Sequence, residues 1–248
     1  YVSHSAVTPF HLKKVEEMSK YYQILLITPF YGKEEGVIHH VKHNKINKNF
    51  EHYPLYYLYP LKIYFSFPPF IFKTILSYKP DLLYIEEEPM SFCAFYLLII
   101  KMLICPKTPI IYYTYENINF SWFFKFPKYF FYNTFKELVL KQCDGVVVPT
   151  ELNINFLKKY KVKKTIIAQY GIEDNWLKNE YKSSNSNLLK IGFIGRLIEE
   201  KGILFLLHSL HDVKISYELH IIGNGHLKEK ILEIINEKKI NTVFHGHT

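Results

Sequence analysis

Short apolar runs alternate with amphipathic segments along most of the 248-residue chain, and this alternation limits the fold more than any other feature. Hydrophobic runs bounded by turn residues predict buried strands. Segments such as Pro9–Tyr22 and Pro127–Gln142 have helical periodicity and predict the helices between them. The predicted strands of the first part are Tyr1–Ser3, Gln23–Thr28, Tyr53–Tyr59, Asp81–Glu86, Pro109–Thr114, Gly145–Pro149 and Thr165–Gln169. Strands that alternate with helices predict an α/β fold with a parallel sheet covered on both faces.

A polar segment rich in Ser and Asn, residues 183–187, predicts a linker between two domains. We expect a first domain over residues 1–172, a linker over 173–188 and a second domain over 189–248. The second block repeats the alternation, with strands Lys190–Ile194, Tyr217–Ile222 and Thr242–His245 separated by helices Lys201–Leu210 and His226–Lys238. Three strands would leave an open sheet edge with unpaired backbone groups. We therefore expect the second domain to be incomplete, with the chain ending inside it.

Charge and cysteine content limit the partners and the compartment. The net charge of +8 favours anionic partners, such as phosphorylated ligands, a membrane surface or nucleic acid. Cys93, Cys105 and Cys143 form no C-x-x-C pair and lie in apolar contexts, which fits a reducing cytoplasm. The apolar run Ser91–Ile104 is shorter than the ~20 residues of a membrane span, and Lys101 interrupts it. We expect a buried helix there and a cytoplasmic protein.

Polar residues or glycines follow nearly every predicted strand. Ligands of parallel α/β sheets bind at the carboxyl ends of the strands, so these residues predict a shared ligand cleft. Linkers and helix caps would also be polar, which is the simpler alternative. The stretches are 3–6, 28–32, 86–89, 114–118, 149–151, 169–171, 195–197 and 223–226. Within the first domain, Ser5, Glu86, Glu88 and Gly171 are the candidate cleft residues.

The segment Lys190–Gly202 is the sharpest of these, because a predicted strand ends in Gly192-x-x-Gly195 followed by two cations. Glycines let the backbone turn tightly and approach a ligand closely. A helix beginning near Lys201 would point free N–H groups into the same cleft. Arg196 can bind phosphate bidentately and Lys201 can supply a point charge, which together suit a diphosphate. On the spacing alone, a structural turn with two solvated cations fits equally well.

Other constellations carry less weight. Glu86–Glu88 lacks an Asp-x-Asp partner, so a metal site is not favoured there. The histidine pairs 39/40, 208/211 and 245/247 have no cysteine or carboxylate to complete a zinc site. No Gly-x-Ser-x-Gly elbow is present, which argues against a hydrolase triad. The aromatic residues fall in apolar runs instead of being interleaved with Lys and Arg, so no nucleic-acid partner is expected.

A peripheral membrane contact is kept as an accessory hypothesis. The stretch Tyr59–Leu76 is aromatic, basic and broken by prolines, which would suit docking at a membrane surface. An irregular segment that packs on the core is the favoured interpretation of the same residues. Binding to anionic lipid distinguishes the two.

The sequence resembles the glycosyltransferases of family 4, which have the GT-B fold of two Rossmann-like domains. Residues 191–210, IGFIGRLIEEKGILFLLHSL, resemble the G-R-L-x-x-E-K-G signature and its following helix. Residues 219–248 are similar to the strand, G-x-G, helix and strand that come next. Residues 143–174 resemble the end of the N-terminal domain. The loops within 85–95 and 110–118 are similar to Glu-rich and Trp/Tyr-Glu/Gln-Asn loops of one branch. The resemblance implies two Rossmann-like domains, the second incomplete.

The resemblance also implies roles for individual residues. Arg196 and Lys201 would bind the diphosphate of a nucleotide-sugar donor and stabilise the charge that develops as it leaves. The implied donor-binding set is Gly195, Arg196, Lys201, Gly223, Gly225, Gly246 and His247. The residues in the position of a family histidine that contacts the transferred sugar are Tyr115, Glu116 and Asn117. No metal cofactor is implied, and the acceptor would be a glycan, a lipid-linked glycan or a small molecule. Retention of the anomeric configuration is implied in the same way.

The chain also departs from the family pattern. SHSAVTPF stands where many relatives carry a Gly-Gly pair, and the E-x7-E segment that holds the sugar and ribose would lie beyond Thr248. The chain as given is therefore expected to transfer sugar poorly. Two alternatives stay open, a GT-B nucleotide-sugar epimerase and a non-catalytic protein that binds a nucleotide sugar or another anion.

Overall fold

The computed structural model describes residues 1–34, 37–62, 64–116, 128–169, 171 and 188–246 of the chain. The chain divides into two compact units, residues 1–172 and residues 173–248. The predicted linker, 173–188, lies outside the described residues except for Leu188.

The first unit is built on a large, mostly parallel sheet. Its strands are β1 (Val2–Ser3), β2 (Ile24–Pro29), β3 (Tyr31–Glu34), β4 (Val37–His40), β5 (Asn44–Asn47), β6 (Phe50–Leu55), β7 (Leu83–Glu86), β8 (Ile110–Tyr113), β9 (Gly145–Val148) and β10 (Thr165–Ile167). Among the described residues, eight of them form one sheet in the order β10-β9-β8-β7-β1-β2-β6-β5. Neighbouring strands are parallel except β5 and β6, which pair antiparallel at one edge. β3 and β4 form a separate antiparallel pair.

Helices cover both faces of this sheet, as the sequence predicts. They are α1 (Pro9–Ser19), α2 (Ile71–Tyr78), α3 (Phe92–Ile104), α4 (Lys128–Gln142) and α5 (Glu151–Leu157). Alternate residues of β2 point to opposite faces. Leu25 and Ile27 belong to the core that includes residues of α2, α3, α4 and α5, whereas Ile24 and Leu26 pack with Val15 of α1. Because β2 is buried on both sides, its hydrophobic residues are consecutive instead of alternating with polar ones.

The edge beyond β2 differs from the sequence prediction. The predicted strand Tyr53–Tyr59 lies earlier, at Phe50–Leu55, and β3, β4 and β5 were not predicted. The aromatic run pointed to a strand that continues to Tyr59, but the backbone of Tyr59 is left-handed, with φ of 53°. His52 is buried and hydrogen-bonded to Thr28, so a histidine occupies what is in effect a core position. β5 is polar and mostly exposed, which removes the apolar pattern on which strand prediction depends.

The apolar run Ser91–Ile104 forms the helix α3, capped by the Ser91 hydroxyl, which accepts a hydrogen bond from the Ala94 N–H at 3.1 Å. No helix in the described part of the chain is long and apolar enough to cross a bilayer. Within Tyr59–Leu76, Ile71 and Ile75 are buried in the core, whereas Tyr59 and Phe70 are exposed. Contact of that stretch with a membrane stays a prediction.

The second unit repeats the architecture at smaller size. Its elements are β11 (Leu189–Ile194), α6 (Ile203–His211), β12 (Tyr217–Ile222), α7 (Lys228–Lys238) and β13 (Thr242–Gly246). In the described residues the strands form a parallel sheet in the order β11-β12-β13. Leu207 of α6 and Ile231 of α7 pack with Leu219 and Ile221 of β12 to form the core. The three predicted strands are confirmed. The first helix begins at Ile203 instead of Lys201, since Gly202 is its N-terminal cap with φ of 72°.

The buried pair Thr28–His52 makes stability depend on pH. Burial lowers the pKa of His52 from 6.5 to about 4, so its ring is neutral in the folded protein at neutral pH. The unfolded chain takes up this proton near pH 6.5 and the folded chain does so near pH 4. Stability from this site is therefore lost as the pH falls through that interval. Between pH 7 and pH 4.5 we expect a loss of about 2–3 kcal/mol in the free energy of unfolding.

Urea unfolding of the wild type and of His52→Gln at both pH values measures this contribution. The variant should lose less stability on acidification than the wild type. His40→Gln, at an exposed position in β4, is the matched control and should keep the wild-type dependence. Equal losses in all three proteins would contradict the assignment.

Candidate functional site

The carboxyl ends of β11, β12 and β13 bring together the glycines that the sequence identified in the second unit. Gly195 follows β11, Gly223 follows β12 and Gly246 ends β13. Backbone hydrogen bonds join these loops. The Gly195 N–H donates to the Ile222 carbonyl at 3.0 Å, and the Gly223 N–H donates to the Gly246 carbonyl at 2.7 Å. The glycine N–H groups are therefore engaged within the unit.

Two of the glycines are required by close contact between loops. A Cβ on Gly223 would lie 1.9 Å from the carbonyl oxygen of Gly195, and its φ is +146°. A Cβ on Gly225 would lie 2.3 Å from the carbonyl oxygen of Leu197. Both contacts are far inside van der Waals distance, and the atoms met are backbone atoms that cannot rotate away. Gly192, by contrast, lies within β11 and a Cβ there would meet nothing within 4 Å. The sequence analysis places Gly192 in the turn, but in the structure it belongs to the strand and lies outside the turn.

Arg196 lies between Gly195 and Leu197, whose backbones pack against Gly223 and Gly225. Its neighbour Leu197 is completely buried, donates its N–H to the Asn224 carbonyl at 2.9 Å and accepts from the Leu227 N–H at 3.1 Å. Arg196 itself is exposed. The anchoring of Leu197 therefore fixes the backbone of an arginine whose side chain faces solvent.

Lys201 ends a single 3-10 turn, Glu199–Lys201, directly before the cap of α6. It is exposed. Glu199 in the same turn is hydrogen-bonded to the His226 ring at 2.8 Å. Arg196 and Lys201 make no ion pair with any residue that the structure describes. Two exposed cations thus lie on either side of the loop that leads to the N-terminus of α6, where free N–H groups favour an anion.

Replacing Gly223 with alanine should destabilise the second unit. The added methyl group would clash with Gly195 and would require a positive φ, so the loops must separate. We expect a loss of about 3 kcal/mol or more, typical of strain at a fixed backbone contact. Gly192→Ala is the matched control and should change stability by less than about 1 kcal/mol. Thermal unfolding followed by circular dichroism measures both. Equal stability of the two variants would refute the contact.

The second set of polar residues lies at the carboxyl edge of the first unit, where β7 ends in three consecutive glutamates. Glu86 and Glu87 are buried and Glu88 is half-buried. Glu86 accepts hydrogen bonds from the Tyr1 hydroxyl, at 2.6 Å, and from Lys14 of α1. Glu88 accepts from the Thr114 hydroxyl at 2.6 Å, and burial raises its pKa despite that hydrogen bond.

Glu87 binds His4, which follows β1. One carboxylate oxygen accepts the His4 backbone N–H at 2.7 Å, and the other lies 2.6 Å from Nδ1 of the His4 ring. β1 and β7 are neighbours in the sheet, which brings together residues 83 positions apart. Burial acts to lower the pKa of His4, but the charge and hydrogen bond of Glu87 outweigh it and the pKa is raised.

The loop after β8 contains Tyr115 and Glu116, which face different surroundings. Tyr115 is exposed, whereas the Glu116 side chain is 1% exposed and forms an ion pair at 2.6 Å with Lys136 of α4, itself 3% exposed. Asn153 of α5 donates hydrogen bonds to the carbonyls of both loop residues, at 2.8 and 3.1 Å. Burial raises the pKa of Glu116, and Lys136 opposes the rise. The ion pair of Glu116 with Lys136 therefore fixes the loop to α4. Of the two loop residues, Tyr115 is the one whose side chain is exposed to a ligand.

Breaking the buried pair should be costly. Lys136→Met leaves the Glu116 carboxylate without its cation, so we expect a loss of about 3–5 kcal/mol at pH 8. The pKa of Glu116 would rise further, and a protonated carboxyl is tolerated there, so the loss should shrink as the pH falls toward 5.5. The double variant Lys136→Met/Glu116→Gln should recover much of it. Urea unfolding at both pH values tests this, and a pH-independent loss would contradict it.

The other site residues predicted from the sequence lie in varied surroundings. Ser5 is half-buried, with its hydroxyl 3.0 Å from that of Ser3. Gly171 is exposed and a Cβ there would meet nothing within 4 Å, so nothing described around it requires glycine. Asn117 and His247 lie outside the described residues. In the described ranges no three His, Cys, Asp or Glu side chains are grouped to hold a metal ion.

Sequence reasoning missed five side chains at the edge of the first unit: His4, Lys14, Glu87, Lys136 and Asn153. His4 and Glu87 stood inside the polar stretches after predicted strands, and they could have been paired had the strand order been known. Lys136 gave no such signal, since a lysine in an amphipathic helix normally lies at the surface.

Comparison with known proteins gives one curated relative and several similar structures. No family model matches the chain. An uncharacterised glycosyltransferase of Methanocaldococcus jannaschii is 34% identical over 119 residues, which cover 42% of this chain and 29% of that protein.

Two solved structures share the fold. HepE of Anabaena, in complex with UDP and glucose, has a TM-score of 0.52 at 14% identity over 72% of this chain and 51% of that chain. The lipopolysaccharide outer core galactosyltransferase WaaB, in its apo form, has a TM-score of 0.52 at 13% identity over 72% and 47%. The chain thus has the α/β fold of glycosyltransferase structures and spans about half the length of those structures and under a third of the curated relative.

Proposed function

We propose that this chain belongs to a glycosyltransferase that moves a sugar from a nucleotide-diphosphate donor to a hydroxyl of an acceptor. The observation that carries the proposal is the loop at Arg196, which is fixed by Leu197 and the close glycine contacts and carries exposed cations beside the N-terminus of α6. The similarity to a named glycosyltransferase and the fold shared with HepE support it. The acceptor is expected to be a glycan, a lipid-linked glycan or a small molecule.

The chemistry of the leaving group explains the need for cations. As the bond between the anomeric carbon and the diphosphate oxygen breaks, negative charge grows on the diphosphate. Groups that bind this charge more strongly in the transition state than in the ground state accelerate the reaction. Arg196 can bind two phosphate oxygens at once, and Lys201 adds a mobile point charge.

The glycines have a supporting role in this proposal. The N–H groups of Gly195 and Gly223 are engaged with carbonyls of neighbouring segments, and that of Gly225 with the Asn224 side chain, so anion binding depends on Arg196, Lys201 and the first N–H groups of α6. Gly195, Gly223, Gly225 and Gly246 keep the loops close enough to present these groups. Retention of the anomeric configuration and membership of family 4 are expected on the resemblance described above, and NMR of the product anomer checks the former.

Binding of UDP tests the proposal without knowledge of the acceptor. Isothermal titration calorimetry should show UDP binding to the chain, with the dissociation constant increased about 10- to 100-fold in Arg196→Ala and in Lys201→Ala, because each removes a charge-assisted contact. Lys190→Ala is the matched control, since this exposed lysine lies near the opposite end of β11. It should bind UDP like the wild type.

A wild-type chain that binds neither UDP nor another nucleoside diphosphate, such as GDP or ADP, would refute the proposed function. Equal weakening by all three substitutions would show a non-specific effect of net charge and would contradict the roles of Arg196 and Lys201. Circular dichroism spectra of the variants confirm that the fold is kept.

A further inference from the structure

Glu199 introduces a negative charge into the segment where the proposed function needs positive charge. It lies three residues after Arg196 and two residues before Lys201, and its side chain is exposed. A hydrogen bond from its own backbone N–H, followed by the hydrogen bond from His226, lowers the pKa of the Glu199 carboxyl. The group is therefore an ionised carboxylate at neutral pH, which is the ordinary partner of Arg and Lys side chains.

The structure gives this carboxylate a different partner. Oε2 of Glu199 lies 2.8 Å from Nε2 of His226, which belongs to the loop after β12. An ionised carboxylate accepts hydrogen bonds and cannot donate them, so Nε2 of His226 carries the hydrogen. This holds for the neutral ring as well as for the protonated one, in which the hydrogen bond becomes an ion pair.

Backbone contacts hold His226 where it can reach Glu199. Its neighbour Leu227 donates the backbone N–H to the Leu197 carbonyl at 3.1 Å. A Cβ on its other neighbour, Gly225, would lie 2.3 Å from the same carbonyl oxygen. Both neighbours of His226 along the chain are thus packed against Leu197, which lies two residues before Glu199. The imidazole is presented to the turn that contains Lys201 by contacts that do not involve the imidazole itself.

Arg196 is the cation for which Glu199 could compete. It is the one arginine among the 31 Lys and Arg residues of the chain. A guanidinium binds a carboxylate as readily as a phosphate, through two parallel N–H donors. Within the described ranges neither Arg196 nor Lys201 forms an ion pair, whereas Glu199 is paired with His226. Both cations are therefore left for an external anion, although a carboxylate lies within three residues of each.

We propose that His226 is a positioning residue of the anion site, because it binds Glu199 and so keeps this carboxylate from pairing with Arg196 and Lys201. Without the imidazole, Glu199 would pair with the guanidinium and would have to be displaced before a diphosphate could bind. The apparent dissociation constant would then rise, since only molecules with a free guanidinium are competent to bind. This inference rests on the proposed function and concerns the second unit alone.

The exposure of the pair sets the size of the effect. The side chains of His226 and Glu199 are 65% and 63% exposed. Ion pairs at such positions are weak because water and salt screen them. A pair between Arg196 and Glu199 in a variant would be similarly exposed. We therefore expect substitution of His226 to change the dissociation constant about 2- to 5-fold.

Titration calorimetry with UDP and with inorganic pyrophosphate tests the inference. His226→Ala should raise both dissociation constants about 2- to 5-fold. His226→Gln should raise them less, because its amide N–H can still donate to Glu199. The double variant His226→Ala/Glu199→Gln should bind like the wild type, since the competing charge is gone.

Two control variants separate this effect from general changes in charge. His226→Ala/Glu200→Gln removes a negative charge from the next residue, which is also exposed, and should restore less affinity than the double variant with Glu199→Gln. His211→Ala removes an exposed histidine at the far end of α6 and should bind both ligands like the wild type.

The competing ion pair can also be observed without a ligand. Because Arg196 is the one arginine of the chain, its Nε–H gives a single side-chain signal in a ¹H–¹⁵N spectrum. This signal should shift in His226→Ala. It should return toward its wild-type position in His226→Ala/Glu199→Gln.

The alternative is that His226 merely helps to hold the two loops together. In that case His226→Ala/Glu199→Gln would bind no better than His226→Ala and the Arg196 signal would be the same in both, which would overturn the inference. Equal recovery with Glu199→Gln and Glu200→Gln would contradict it, and so would wild-type affinity in His226→Ala.

The two ligands keep this inference distinguishable from the proposed function. A wild-type chain that binds pyrophosphate but no nucleoside diphosphate refutes the proposed function, and the competition by Glu199 is then measured with pyrophosphate. A wild-type chain that binds neither refutes both.

Discussion

Three consecutive glutamates at the end of β7 place negative charge at the centre of the large sheet, and the surrounding structure satisfies each of them differently. A buried carboxylate is costly unless it is hydrogen-bonded or paired. Glu86 is met by Tyr1 and Lys14, Glu87 by His4, and Glu88 by Thr114. These contacts connect β7 with β1, with α1 and with the loop after β8. Compensation of these charges therefore accounts for how β1, α1 and the loop after β8 meet β7 at the carboxyl edge.

The loops of the two units are held in place by different kinds of contact. In the first unit, side chains hold the loop at Tyr115 and Glu116: Asn153 donates hydrogen bonds to its carbonyls, and Lys136 forms a buried ion pair with Glu116. In the second unit, backbone segments pack directly against each other, so closely that no Cβ fits at Gly223 or Gly225. Side-chain networks can titrate, whereas backbone contacts cannot. The contacts of the first edge therefore depend on the protonation of their carboxyl groups, whereas the backbone contacts of the second edge do not depend on pH.

The sequence predicted the elements whose pattern is local. β2, β7, β8 and β9 are short, mostly hydrophobic and largely buried runs, and this pattern is visible without knowledge of the strands that lie beside them. It failed at β5, which is polar and exposed at an edge, and it shifted β6 because the burial of His52 depends on Thr28 in another strand. The candidate site was also predicted only in part.

Residues next to a strand end, such as Glu86 and Arg196, could be nominated from the sequence because strand ends are visible in it. Pairs such as His4 with Glu87, or Glu116 with Lys136, depend on the order of strands and the packing of α4. A single sequence does not contain that order, since many orders bury the same hydrophobic residues equally well. The close approach of Gly223 to Gly195 is of the same kind.

The central place of β1 has a consequence for how the first unit folds. This strand consists of Val2 and Ser3, and it pairs with Ile27 on one side and with Ile85 and Glu86 on the other. The site that β1 fills exists once β2 and β7, nearly 60 residues apart, have come together. Closing such a long loop has an entropic cost that is met before β1 has both of its neighbours. Placement of β1 between β2 and β7 is thus expected to be a late event of folding, and it completes the sheet and positions His4 at the same moment.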